Sequence, residues 1–176
     1  MHIPDGFINA PVSIATGLFS FGSLWVSTKA ANKFLADRFI AIAGMMSALI
    51  FVLQMINFPI GAGTSGHLLG GALAVIILGP SLGIVCVSIV VIIQALIFAD
   101  GGLSALGINI FNMSIVTGLV GWFIINLWIK FFGDRNFSLI LGSFLAGMFS
   151  VIMSSVAFVV EYVLGGTVSV EISNIF

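Results

Sequence analysis

Charged side chains are scarce in this chain. Five basic and six acidic residues are spread over 176 positions, and the mean hydropathy is +1.30. A water-soluble domain carries about 25% charged residues, so this chain is expected to use the lipid bilayer as its solvent. The net charge is −1 and no basic run is present. Nucleic acid is therefore not expected as a partner.

Cysteine and histidine are almost missing too. Cys86 is the single cysteine and lies between Val85 and Val87, which excludes an internal disulfide and a cysteine-based zinc site. The two histidines are His2, in Met-His-Ile-Pro-Asp-Gly-Phe, and His67, in Gly-Thr-Ser-Gly-His. No Gly-x-x-x-x-Gly-Lys-[Ser/Thr] motif occurs, so the chain is not expected to bind and hydrolyse ATP by that route.

Long apolar runs dominate what remains. Six of them approach the ~20 residues that a membrane crossing needs: 10–28, 39–57, 62–79, 81–99, 107–129 and 137–164. The stretch 62–99 is too long for one crossing, and Gly79-Pro80-Ser81 interrupts it because proline cannot continue a helix. The sequence predicts an all-α, polytopic transmembrane helix bundle of about six spans. Residues 1–176 are expected to form a single integral membrane domain.

The basic residues predict an orientation. They fall in two short connections: Lys29, Lys33 and Arg38 after the first run, and Lys130 and Arg135 after the fifth. Basic loops stay on the cytoplasmic side, and four crossings between these two loops satisfy that rule. The amino terminus and His67 are then both expected on the external face of the plasma (inner) membrane.

A histidine at position 2 can chelate a metal. The terminal amine of Met1, the backbone nitrogen of His2 and its ring Nδ1 close five- and six-membered rings around one ion, and the amine has an unperturbed pKa of about 7.7–8.0. His67 carries the only other imidazole and can take the fourth place. Four nitrogens in a plane suit Ni(II) or Cu(II), with Co(II) possible, whereas zinc prefers a tetrahedron. The predicted metal ligands are Met1, His2 and His67, and Pro4-Asp5-Gly6 predicts a turn that folds residues 1–3 into the bundle.

The remaining polar residues of the apolar runs and loops can be explained without a role in metal binding. The buried amides are expected to form hydrogen bonds between helices; they are Gln54, Gln94, Asn109, Asn112 and Asn126. Asp100 and Glu161 either line an entrance or are solvated.

Two alternative functions stay open. Gly63-Thr64-Ser65-Gly66 is similar to the Gly-x-Ser-Gly of intramembrane serine proteases, although such an enzyme needs a histidine base within reach of the serine and the late helices contain none. A non-transport membrane scaffold is the second alternative.

Four segments together resemble the CbiM/NikM family, the substrate-binding membrane subunits of energy-coupling factor (ECF) transporters for cobalt and nickel. The segments are Met1-His2-Ile3-Pro4-Asp5-Gly6-Phe7, Gly63-Thr64-Ser65-Gly66-His67-Leu68, Gln94–Gly102 and Gly107–Met113. The resemblance implies that metal is held by the Met1 amine, the backbone and ring nitrogens of His2, and the His67 ring. It also implies a helical bundle with the amino terminus tucked inside.

The resemblance further implies an ABC-type importer that captures Co²⁺ or Ni²⁺ as its transported substrate, with no organic cofactor and no enzymatic activity of its own. Partners would be two ATPase subunits, a coupling transmembrane subunit and often a small accessory membrane subunit. Family members usually continue into a further apolar helix, whereas this sequence stops at Phe176. We expect either a truncated sequence or a missing last span, with the metal ligands unaffected.

Overall fold

The computed structural model describes residues 2–33, 37–61 and 64–168, and within them the chain is a helical bundle. The helices are α1 (Ala10–Asn32), α2 (Asp37–Gln54), α3 (Gly71–Leu78), α4 (Pro80–Ile97), α5 (Leu106–Ile110), α6 (Thr117–Phe132) and α7 (Asn136–Gly165). A π-helix, Phe111–Val116, joins α5 to α6. Two short strands, β1 (Phe58–Gly61) and β2 (Thr64–Gly66), pair antiparallel between α2 and α3.

The predicted all-α membrane bundle is confirmed, but its spans are unequal. Within the described ranges, four helical stretches are long and apolar enough to cross a bilayer: Ala10–Asn32, Pro80–Ile97, Leu106–Phe132 and Asn136–Gly165. The apolar part of α2, Phe39–Gln54, is shorter. The run 62–79 yields only the 8 residues of α3, about 12 Å of helix at 1.5 Å per residue.

The third run is short because helix cannot begin before Gly71. Thr64–Gly66 form strand β2 of the hairpin, and Gly70 has a φ of 84°, a conformation that the interior of a right-handed helix cannot use. Sequence reasoning missed this hairpin because glycines and short polar residues such as Thr64 and Ser65 fit a loop as well as short strands. The break at Gly79-Pro80 is confirmed: Gly79 has a φ of 80° and caps α3, and Pro80 is the first residue of α4.

The core lies around α3 and α4. Ile50, Val75, Val87, Val91 and Met113 are almost completely buried there. By contrast, α1 and α7 expose large apolar side chains along most of their length, among them Leu18, Phe21, Phe137 and Val163. Such a surface is stable only against hydrocarbon, so α1 and α7 form the lipid-facing periphery.

One end of the bundle carries almost all of the polar contacts made by loops. There the first residues of the chain meet the loop after α4, the start of α5 and the end of α7. Helix α1 starts at this end, and so does the continuous helical stretch Leu106–Phe132 that ends with α6. Lys29 and Lys130, in the last turns of α1 and α6, therefore lie towards the opposite end. The N-terminal segment and these two lysines thus lie at opposite ends of the bundle.

Candidate metal centre

The N-terminal segment, residues 2–9, is folded into the bundle rather than frayed. The side chain of Asn109 in α5 binds both backbone polar groups of Ile3. Asn109 Oδ1 accepts from Ile3 N–H at 2.8 Å, and Asn109 Nδ2 donates to Ile3 C=O at 3.1 Å. The Gly102 N–H donates to the same carbonyl at 2.9 Å. Ile3 itself is 4% exposed. These bonds satisfy the backbone of a segment that has no regular secondary structure, as burial requires.

The predicted turn at Pro4-Asp5-Gly6 is present, with Gly6 at φ 75°. Asp5 Oδ1 accepts hydrogen bonds from the N–H (2.7 Å) and the hydroxyl (2.6 Å) of Ser104, and these donors lower the pKa of the Asp5 carboxyl. A Cβ on Gly102 would lie 2.3 Å from the Asp5 backbone nitrogen. Glycine at 102 therefore lets the loop approach the turn closely.

The rest of the segment is joined to the end of α7. Asn9 N–H donates to Gly165 C=O at 2.6 Å, and Thr167 N–H donates to Phe7 C=O at 3.1 Å. The Phe7 ring stacks on Phe158, with the centroids 6.1 Å apart. The amino terminus is thus tied to α5, to the 100–104 loop and to α7, as the expectation of a tucked terminus requires.

The structure brings the two histidines together. Their rings are stacked with centroids 4.9 Å apart and an interplanar angle of 18°. They come from positions separated by 65 residues, one on the N-terminal segment and one on the strand-to-helix connection before α3. Two nearly parallel imidazoles at this distance require the two segments to pack closely together.

His2 is held by two residues near the end of α4. Its Nε2 lies 3.1 Å from Gln94 Oε1, and its Nδ1 lies 3.2 Å from Asp100 Oδ1, while its side chain is only 5% exposed. Asp100 N–H donates to Gln94 C=O at 3.1 Å, so the two partners are fixed relative to each other.

This arrangement favours a cation next to Nδ1. When neutral His2 donates Nε2–H to Gln94, its Nδ1 carries a lone pair that faces the Asp100 carboxylate. Two acceptors facing each other repel, and a positive charge between them removes the repulsion. Burial lowers the pKa of His2, so the neutral form, which is the one that binds metals, prevails at neutral pH.

His67 is positioned mainly through its backbone. Its Nδ1 lies 2.9 Å from Leu68 C=O, and the neighbouring Leu69 C=O accepts from Gln54 Nε2 of α2 at 2.7 Å. Burial lowers the pKa of His67 to about 4. This ring is therefore also neutral at physiological pH.

Of the three predicted ligands, Met1 lies outside the described residues, and His2 and His67 lie side by side. Ligation of a metal by these three residues stays a prediction. Sequence reasoning missed the roles of Asn109, Gln94 and Asp100, which hold the N-terminal segment and the His2 ring. A signal was present: all three fall in the segments that carry the family resemblance, and Asp100-Gly101-Gly102 is a polar turn directly after an apolar run.

The fold and this centre together define a polytopic membrane protein with an amino terminus built into a buried, histidine-lined site. Residues 2–175 match the family model described as the cobalt uptake substrate-specific transmembrane region. The chain belongs to that family.

Named relatives and a solved structure agree with this assignment. The chain is 30% identical over 164 residues to the cobalt transport protein CbiM of Lachnoclostridium phytofermentans, covering 92% of this chain and 66% of that one. It is 36% identical over 121 residues to the fused nickel transport protein NikMN of Rhodobacter capsulatus, covering 68% and 35%. A crystal structure of a truncated transition metal transporter superposes with a TM-score of 0.84 at 31% identity, over 92% of this chain and 73% of that one. The chain spans about half the length of several curated relatives it matches.

Proposed function

We propose that this chain is the substrate-binding membrane subunit of an ECF-type transporter that captures Co²⁺ or Ni²⁺ on the external face and imports it. The observation that carries the proposal is the stacked pair His2–His67, in which His2 is held by a folded-in N-terminal segment. The cobalt and nickel transport relatives support the class of substrate.

The proposed ligands are the Met1 amine, the His2 backbone nitrogen, His2 Nδ1 and the His67 ring. Both imidazoles are neutral at physiological pH because burial lowers their pKa values, so neither must lose a proton to bind. Asp100, 3.2 Å from His2 Nδ1, attracts the incoming cation to that nitrogen. Asn109 and Gly102 hold Ile3 and so fix the His2 backbone, which keeps the chelating atoms in register.

Energy for import would come from other chains, namely ATPase subunits with a coupling transmembrane subunit and a small accessory membrane subunit. We place the site on the external face because the basic residues Lys29 and Lys130 lie towards the opposite end of the bundle. The chain is proposed to carry metal as substrate and to have no catalytic residues and no organic cofactor.

The test is to add one residue before Met1. This change converts the terminal amine into an amide and removes one ligand, while every side chain and every helix stays the same. We expect nickel and cobalt binding to fall below detection by calorimetry. A version in which a specific protease removes the extra residue should regain full affinity, and an insertion of the same size next to exposed Asp134, in the α6–α7 turn, should have no effect.

Equal affinity in the extended and native chains would overturn the proposed ligand set. The other functions have their own readouts. A scaffold predicts metal-free purified protein and no effect of His67→Ala, and an intramembrane serine protease predicts labelling of Ser65 by a fluorophosphonate probe.

A further inference from the structure

A carboxylate that the proposed histidine site does not use is buried in the bundle. Glu161 is 5% exposed and is the only charged residue of α7, a helix that largely faces lipid. Its Oε2 accepts a hydrogen bond of 2.6 Å from Asn112 Nδ2, and Asn112 is 2% exposed. An ionisable residue inside a membrane bundle is costly and usually serves a function.

Two oxygens of this pair have no partner. Among the described residues, neither Glu161 Oε1 nor Asn112 Oδ1 receives a hydrogen bond, and both atoms are buried. Both atoms are acceptors, and they belong to a carboxylate and an amide that are already hydrogen-bonded to each other. One positive charge placed beside them would satisfy both oxygens, whereas an apolar neighbour would satisfy neither.

The backbone around Asn112 is also unusual. Asn112 lies in the π-helix Phe111–Val116, where the normal hydrogen-bond ladder is interrupted. Side-chain hydroxyls take up the carbonyls there: Ser154 donates to Asn112 C=O at 3.1 Å, and Thr117 donates to Met113 C=O at 2.6 Å. Two polar side chains of α7 therefore bind Asn112: Glu161 contacts its side chain and Ser154 contacts its carbonyl.

The Glu161–Asn112 pair lies next to the N-terminal segment that carries His2. Asn112 follows Asn109, which holds Ile3, by three residues on the same continuous helix, or about 4.5 Å along its axis. Glu161 lies between Phe158 and Gly165 on α7, about one turn from each, and both of these residues contact the N-terminal segment. Further inward, Ser88 and Ser114 are joined by a hydrogen bond of 2.9 Å between their hydroxyls. Buried polar groups thus continue from the site towards the opposite end.

We propose that Glu161 and Asn112 form a second, oxygen-lined cation site next to the N-terminal segment, which the transported divalent ion occupies after leaving the nitrogen ligands. The identity of the ion rests on the proposed function. Carboxylate and amide oxygens bind Co²⁺ and Ni²⁺ less tightly than imidazole and amine nitrogens do. An ion that passes from a tight site to a weaker one is released more easily from the protein.

The experiment is a Co²⁺ titration of the purified chain in nanodiscs, followed by calorimetry and by the visible absorption of cobalt. Native protein should show one tight class with nitrogen-type absorption and one weak class with the spectrum of oxygen ligands. Glu161→Gln keeps the shape and the acceptor for Asn112 Nδ2, and adds a donor for Asn112 Oδ1. It should fold normally, retain the tight class, and weaken the second class at least about tenfold, equivalent to ~1.4 kcal/mol.

Two matched variants make the result specific. Asp134→Asn removes the same charge from the exposed α6–α7 turn and should change neither class. His67→Ala should weaken the tight class by more than about 100-fold and leave the weak class unchanged. If His67→Ala changes neither class, the proposed function fails, whereas the comparison of Glu161→Gln with native protein still tests the second site. Unaltered weak binding in Glu161→Gln overturns the second site. So does an infrared carboxylic-acid band of Glu161 that cobalt leaves unchanged, because the carboxyl would then hold only a proton.

Discussion

The two histidines of the candidate site are held in different ways. His2 is fixed through its side chain by groups far away in sequence: Gln94, 92 residues on, and Asp100. His67 has a ring contact with the carbonyl of the next residue, Leu68, and its surroundings are fixed through the backbone by Gln54. One half of the site is thus anchored to α4 and α5, and the other half follows the connection between β2 and α3. On the proposed function, we expect His2 to fix the orientation of the bound metal and the His67 side to be the more easily displaced.

The largest effect should come from the anchored side. Both substitutions remove the ring stack, but His2→Ala also removes the ring nitrogen of the proposed N-terminal chelate, whereas His67→Ala removes a single independent ligand. We expect both to weaken nickel binding, His2→Ala more strongly, and by more than the ~10–100-fold that loss of an outer partner typically costs. Calorimetry on both variants measures the order, and a greater loss for His67→Ala would reverse our account of which ring dominates.

A smaller loss should follow from releasing the backbone behind His2. Asn109→Leu leaves the Ile3 N–H and C=O without their side-chain partner, so the N-terminal segment should detach more easily. We expect metal affinity to fall by about 10–100-fold and stability by ~1–3 kcal/mol, measured by calorimetry and thermal unfolding. Asn126→Leu is the control because Asn126 is exposed and bonds only within its own helix, to Trp122 C=O. Equal losses in both variants would contradict a specific role for Asn109.

Loosening the His67 side should cost less. Gln54→Leu removes the hydrogen bond to Leu69 C=O, two residues from His67, and touches nothing around His2. We expect affinity to fall by only about fivefold, less than for an outer partner bound directly to a ligand, and metal entry to change more than metal release. Stopped-flow binding rates separate the two. A loss as large as that of Asn109→Leu would show that both halves are anchored equally.

The smallest effect is the pH dependence of the metal-free chain. Burial holds His67 at a pKa of about 4 in the folded chain, against 6.5 in the unfolded one, and lowers that of His2 in the same direction. Between these values the unfolded chain binds more protons, so the folded state loses stability as pH falls from about 6.5 towards 4. A melting temperature that falls over this range in native protein, and falls less in His67→Ala, is the expected result. A melting temperature that rises on acidification would contradict it.

Local signals made much of the fold predictable. The Gly79-Pro80 break follows from two residue types with strict backbone requirements, and the membrane class follows from composition. Hydropathy could not predict the shortness of α3. The helix begins only at Gly71 because Gly70 has a positive φ, and hydropathy carries no information on backbone angles. The proximity of His2 to His67 was predictable because only two imidazoles exist. The contact of Asn109 with Ile3 was not, because an amide in a span signals a hydrogen bond without naming its partner.

The joint between the first residues and the end of α7 has a mechanical consequence. Asn9 and Phe7 bond to Gly165 and Thr167, and α7 is a single 30-residue helix, about 45 Å long. Any shift of residues 7–9 that accompanies ion capture is therefore passed on to a rigid rod. A movement at Asn136, the other end of α7, would then accompany ion binding on the opposite side of the bilayer.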